Sequence, residues 1–150
     1  MSEEETLSKS MVNKLYLSVF LLISILLVGS CPAYSEKISL NSILTPKDID
    51  NIHIYKISSD KNSTDFLITV KKSVPLHMHV NHTETIYVLD GEAEFQENNQ
   101  RYMIKQGDYL RIKKGTPHGV KVTSAKPLKV LSVQAPEFLG KDRIFLPEKE

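Results

Sequence analysis

The chain has 150 residues, of which 41% are hydrophobic and 25% charged, a composition that folds as one soluble domain and excludes a disordered chain. Lys and Arg number 19 against 18 Asp and Glu, so the net charge is +1 and no field of one sign is available to hold nucleic acid. The single cysteine excludes a disulfide framework within one chain and a multi-cysteine zinc site.

Residues 1–35 read as an export segment rather than as fold. Leu15 to Val28 is an uncharged, mostly apolar run that follows Lys14. It is shorter than the ~20 residues of a spanning helix and fits the core of a signal peptide. Three processing readings stay open. Val28-Gly29-Ser30-Cys31 is similar to a lipobox, which would make Cys31 the lipidated first residue of a membrane-tethered protein. Ala33-Tyr34-Ser35 is similar to an ordinary cleavage site, and an uncleaved anchor is the third. Glu3, Glu4 and Glu5 carry the wrong sign for a signal start, whereas Met11-Val12-Asn13-Lys14 is conventional, which favours translation from Met11. All three readings place the domain outside the cytoplasm, in the periplasm or on a membrane surface.

Residues 36–50 form a short lead-in, in which Thr45, Pro46 and Asp48 are suited to a helix start or a turn. Beyond it the chain is strand-like. Residues 53–57, 65–71, 85–90, 93–97, 100–105, 109–113, 119–122 and 128–134 are short runs rich in β-branched and aromatic residues. Asp90-Gly91, Asn98-Asn99, Gln106-Gly107-Asp108 and Lys114-Gly115-Thr116-Pro117 punctuate them, and Asn98-Asn99 suits a two-residue hairpin. Many short strands with almost no helix predict an all-β antiparallel sandwich or barrel. Ile86-Tyr87-Val88-Leu89 is apolar on both faces, so its outer face is expected to be covered by a second sheet or a second copy of the chain.

One constellation carries chemistry. His77 and His79 are two apart on a strand and leave the same face, and Glu84 leads into the next strand with Ile86 and Val88 on its own face. His118 follows a Gly-Thr-Pro turn. Three imidazoles and one carboxylate make a mixed nitrogen–oxygen site for a divalent transition metal: Fe, Mn, Ni, Cu or Zn. His82 is expected to be an exposed loop residue and His53 an ordinary strand-edge residue. Lys113 and Lys114 are expected in a solvated turn. Tyr87, Tyr102 and Arg111, with His82, are the candidates for a polar group near the open metal positions.

The spacing of these residues resembles the cupin family. His77-x-His79, four residues, Glu84, six residues and Gly91 are similar to the first cupin motif. Gly107-Asp108 and then Gly115-Thr116-Pro117-His118 are similar to the second. Lys71, Lys113 and Val122 depart from the motifs at turn positions, not at ligands. Ala135 to Asp142 resembles the end of a small single-domain cupin, so the barrel is expected over 51–142 with 143–150 as a tail. The resemblance implies a double-stranded β-helix, or jelly roll, that binds one metal through His77, His79, Glu84 and His118. It also implies a homodimer. Three functions follow as expectations: a metal-dependent enzyme of dioxygenase or isomerase type on a small molecule, a non-catalytic small-ligand or sugar binder, and a barrel merely stapled by metal.

Overall fold

The computed structural model describes residues 11–16 and 34–147. The chain divides into two compact units, Met1–Ile38 and Ser39–Glu150. In the first, residues 11–16 are helical and 34–38 have no regular secondary structure. Cys31 and most of the apolar run lie outside the described residues, and among the described residues no helix is long and apolar enough to cross a membrane.

The second unit is all-β, as the strand-like runs predict. A 3-10 turn, Leu40–Ser42, leads into β1 (Ile52–Ser59), β2 (Thr64–Val70), β3 (Ser73–His79), β4 (Thr83–Asp90), β5 (Glu92–Glu97), β6 (Gln100–Lys105), β7 (Tyr109–Ile112), β8 (His118–Val122), β9 (Leu128–Ala135) and β10 (Arg143–Phe145). One five-stranded sheet has the order β1-β2-β9-β4-β7 and the other β10-β3-β8-β5-β6. Every pairing is antiparallel. Apart from β1–β2 and β5–β6 the paired strands are not consecutive in sequence, which is the jelly-roll pattern.

Thr45-Pro46 opens a turn at 47–48 rather than a helix. Lysine side chains fix this lead-in to the sheet: Lys71 Nζ donates to the carbonyls of Lys47 at 3.2 Å and Ile49 at 2.7 Å.

Two strands were harder to read. Pro75 lies inside β3, where it cannot donate to the ladder, and the β3–β8 register slips between Val74 and His77 to accommodate it. The run beyond residue 142, expected as a tail, supplies β10, which pairs Arg143 with His79 and Phe145 with His77. The second sheet therefore extends past the expected end of the barrel. At the β5–β6 hairpin, Glu97 pairs with Gln100 across Asn98-Asn99, and Asn98 takes the positive φ of 53° that the turn requires.

Side chains alternate along β4. Glu84 and Val88 are buried, while Tyr87 on the other face is 43% exposed. The outer face of that strand is thus not covered by a second sheet of the same chain at Tyr87, which leaves a second copy of the chain as the cover expected of Ile86–Leu89. Val88, Ala93, Phe95, Ile104, Leu128 and Val130 fill the space between the sheets. Gly91, at φ +82°, closes β4 where an added Cβ would lie 2.7 Å from the Pro127 carbonyl oxygen.

Candidate metal centre

The two sheets bring the predicted ligands together from opposite walls. β3 and β8 pair His77 with His118 directly, and His79 is one alternation further along β3. Glu84 faces them from β4 of the other sheet. Gly119 follows His118 where β8 runs tight against β3, and its added Cβ would lie 3.0 Å from the Val74 carbonyl oxygen. The Gly115 N–H donates to the His79 carbonyl at 2.6 Å, tying the loop before His118 to the end of β3. His77, His79, Glu84 and His118 are all buried, and one ligand atom from each lies within 4.8 Å of the others.

Hydrogen bonding fixes which atoms are offered. His77 Nδ1 lies 2.9 Å from the Pro75 carbonyl oxygen, His118 Nδ1 2.9 Å from that of Thr116, and His79 Nδ1 3.2 Å from that of Asp142. A carbonyl oxygen only accepts, so each Nδ1 carries a proton and Nε2 is the atom each ring has left to offer. Glu84 Oε2 lies 3.2 Å from His118 Nε2 and 3.4 Å from His79 Nε2. The second contact is too poorly aligned for a hydrogen bond, and His79 Nε2 is buried without a partner. Lone pairs confronting a carboxylate repel. A cation at their focus converts the repulsion into attraction, so the donor set fits a divalent metal; without one, a proton on a ring nitrogen is the remaining relief.

The protonation states suit ligation. Burial pushes the Glu84 carboxyl up, but the His118 and His79 rings and the Ser132 hydroxyl outweigh it and hold the group well below the usual carboxylate range. Burial, reinforced by His118, lowers His77 to about 4. At neutral pH the site therefore offers a carboxylate and a neutral imidazole.

A supporting layer of residues went unread in the sequence. Ser132 Oγ donates to Glu84 Oε1, and the Gln134 amide lies 3.4 Å from the same oxygen. Both are almost fully buried. The signal was the alternation of β9, where Leu128 and Val130 point inward and the next two inward positions are polar. His82 is not the exposed loop residue expected: it is 6% exposed. Its Nδ1 faces the Asp142 carboxylate and its Nε2 donates to the Glu137 carbonyl at 2.8 Å, because the C-terminal segment folds back over the β3–β4 turn. Asp142 also accepts from the backbone N–H of Val80 at 3.1 Å, Asn81 at 2.8 Å and His82 at 3.2 Å. His79, His82 and Asp142 thus form a second buried group next to the first.

The structure does not bring Tyr87, Tyr102 or Arg111 to the four ligands. Tyr87 and Arg111 are exposed, because β4–β7 pairing sets Thr85 opposite Arg111 and Tyr87 opposite Tyr109 on the face away from Glu84. Tyr102 lies on edge strand β6 with its hydroxyl 3.2 Å from Glu97, and burial, then Glu97, push it up to about 12. Tyr102 and Arg111 line a surface hollow between β6 and β7 instead. His53 is a half-buried strand-edge residue, and Lys113 and Lys114 are exposed, as expected. A cavity of about 60 Å³ opens onto His77, Glu84 and His118 and is otherwise walled mainly by apolar residues, among them Ile52, Ile54 and Ile68.

Known proteins are similar to this chain in sequence and in fold. The family model described as a cupin domain matches residues 66–134, a span that contains all four clustered side chains. An uncharacterized protein of Aquifex aeolicus is 30% identical over 96 residues, covering 64% of this chain and 78% of the relative. Quercetin 2,3-dioxygenase of Bacillus subtilis is 44% identical over 50 residues, which cover 33% of this chain and 15% of that enzyme. Among solved structures, an uncharacterized conserved protein with a double-stranded β-helix domain from Klebsiella pneumoniae superposes with a TM-score of 0.66 at 21% identity, covering 77% of this chain and 100% of that one. That likeness is one of fold. Motif spacing, strand order and matched segment agree, and the chain belongs to the cupin family.

Proposed function

We infer that this cupin holds one divalent transition metal on His77, His79, Glu84 and His118 and acts as a metal-dependent enzyme, of dioxygenase or isomerase type, on a small molecule. The observation that carries the reading is the buried cluster of donor atoms: Nδ1 of each imidazole is tied to a carbonyl, His79 Nε2 is buried without a hydrogen-bond partner, and Glu84 Oε2 faces Nε2 of both His79 and His118. A metal bound there would supply Lewis-acid polarisation of a bound oxygen or activation of dioxygen. The protein's own residues do the rest. Ser132 and Gln134 hold Glu84 by its other oxygen, and Asp142 holds His79 by Nδ1. The apolar walls exclude bulk water.

The identity to quercetin 2,3-dioxygenase supports an oxygen-using reaction but covers a small part of that enzyme. Cavity size sets the substrate. About 60 Å³ is far below the ~300–1,000 Å³ of drug-sized pockets, so the molecule handled here is small. Apolar walls give a sugar's hydroxyls few partners, which favours the enzyme reading over a sugar binder. Export through residues 1–35, lipidation at Cys31 and pairing into a homodimer belong to the same proposal.

The test is elemental analysis of purified wild type against His79→Ala, with oxygen uptake measured on the iron and zinc forms. Stoichiometric metal lost in the variant supports the site. Equal metal in both proteins overturns it. Oxygen uptake by the iron form with a small substrate supports a dioxygenase, and none across a panel of small acids and enols overturns that assignment.

A further inference from the structure

Among the described residues, Arg143 is a charge without a counter-charge in the cavity of the metal centre. It lies on β10, paired with His79, and lines the same cavity as His77, Glu84 and His118. Its Nε is buried and makes no hydrogen bond. Among the described residues no carboxylate lies within 4.0 Å of its guanidinium, whereas Arg101 has Glu94 at 3.1 Å and Lys126 has Asp90. A half-buried arginine is ordinarily satisfied by a carboxylate or by carbonyls, and a buried donor left unmade is costly.

The walls around it define what would satisfy it. Ile52 and Ile54 on edge strand β1 stand across the slot from edge strand β10, and both are partly solvent-exposed, so the cavity is open on that side. Ile68 and Val74 continue the apolar lining inward. A ligand entering between these edges meets apolar surface, one forked cation and, at the far end, the lone pairs of the ligand cluster. A guanidinium fork matches a carboxylate bidentately. The cavity admits only a few heavy atoms, and a ligand of two to four carbons is the size that fits.

We propose that Arg143 is the recognition residue for a short-chain carboxylate, its carboxylate on the guanidinium and its hydrocarbon body on Ile52, Ile54 and Ile68. This assigns the substrate class of the site and rests on the reading given under Proposed function for the role of the metal, but not for binding of the acid. The sequence offered no sign of it, because residues beyond 142 read as a tail.

The test uses the full-length protein, metal-free and zinc-loaded, with propionate and its neutral analogue propionamide as probes. Binding is followed by calorimetry or ligand-observed NMR for wild type, Arg143→Gln and Arg143→Lys. Wild type is expected to bind propionate about tenfold or more tightly than propionamide, and Arg143→Gln to lose that preference while binding propionamide as before. Arg143→Lys, which keeps charge but not the fork, should retain part of the preference. Unaltered propionate affinity in Arg143→Gln overturns the proposal, as does equal affinity of wild type for the two probes. Melting curves and zinc content matching wild type show that the variants fold and keep the centre. A preference that persists in the metal-free protein upholds Arg143 even if the metal assignment fails. A preference present only with zinc, and unaffected in Arg143→Gln, assigns the carboxylate to the metal and overturns the role of Arg143.

Discussion

Replacing Asp142 by alanine tests whether the C-terminal segment is part of the centre. The Asp142 carboxylate is 7% exposed and accepts from three successive backbone amides, from the Asn81 side chain at 3.0 Å and from the His82 ring. Burial opposes its ionisation, but the His82 ring and the Asn81 amide outweigh that and hold the carboxyl below its usual value. Its loss leaves several buried donors without an acceptor, each costing about 1–3 kcal/mol where water cannot enter. The donors share one acceptor and their counts overlap, so the expected loss is about 4 kcal/mol. At roughly 4–8 °C per kcal/mol for a domain near 100 residues, the midpoint falls by about 15 °C or more. The same residue's backbone carbonyl orients His79 through Nδ1. Loosening that contact lowers metal affinity by about 10–100-fold. Thermal unfolding of the metal-free protein and metal titration give the two numbers separately. A midpoint drop of a few degrees with unchanged metal affinity would refute the reasoning, because the β3–β4 turn would then be held by something else.

The other predictions concern the turn at Gly91, pH and the metal itself. Gly91→Ala places a Cβ 2.8 Å from the Leu128 Cα at a φ of +82°, so strain and overlap together should cost about 2–5 kcal/mol; urea unfolding checks this, and a loss under 1 kcal/mol contradicts it. In the metal-free protein the His77 ring is held at about 4, below its value in the unfolded chain, so the unfolded state binds the proton first as pH drops. Stability is therefore expected to be flat above about pH 6.5 and to fall between there and pH 4, by on the order of 3 kcal/mol in all; a His77→Gln variant should lose that slope. Glu84 is depressed too, so its contribution disappears only at still lower pH. Metal at 100 times its dissociation constant should raise stability by about 2.7 kcal/mol in wild type and by little in His79→Ala, as read from melting curves over a metal series.

What the sequence disclosed, and what it hid, divides by the range of the interaction. Strand alternation and turn residues are local, and they located most of the strands and the Asn98-Asn99 hairpin. His77, His79, Glu84 and His118 were legible because the spacing of two short motifs is fixed along the chain. Pro75 hid the part of β3 ahead of His77 and His79, since a residue without an N–H reads as a break unless the partner strand is seen to slip past it. His82 was misread for the opposite reason. Nothing within ten residues of it supplies an acceptor for its ring; the acceptors are the Asp142 carboxylate and the Glu137 carbonyl, which arrive only when the chain's end folds back. Tyr87 and Arg111 were chosen by residue type, and pairing register then placed them outside.

The same division explains how this barrel keeps a polar cluster in a small core. Buried acids and imidazoles are unfavourable unless each atom has a partner. Here one atom of each ligand is tied to the protein: Nδ1 of the three rings to carbonyls, Oε1 of Glu84 to Ser132. What remains unsatisfied points to a single focus. Those ties come from Pro75 within β3, from the loop before His118, from β9 and from the segment that carries Asp142, so no single strand builds the centre. The C-terminal segment contributes on both sides of the problem, holding His79 from behind with Asp142 and offering Arg143 to the cavity in front. A chain truncated after Ala135 would keep every metal-ligating side chain and still lack the carbonyl that sets the His79 ring and the cation that faces the cavity.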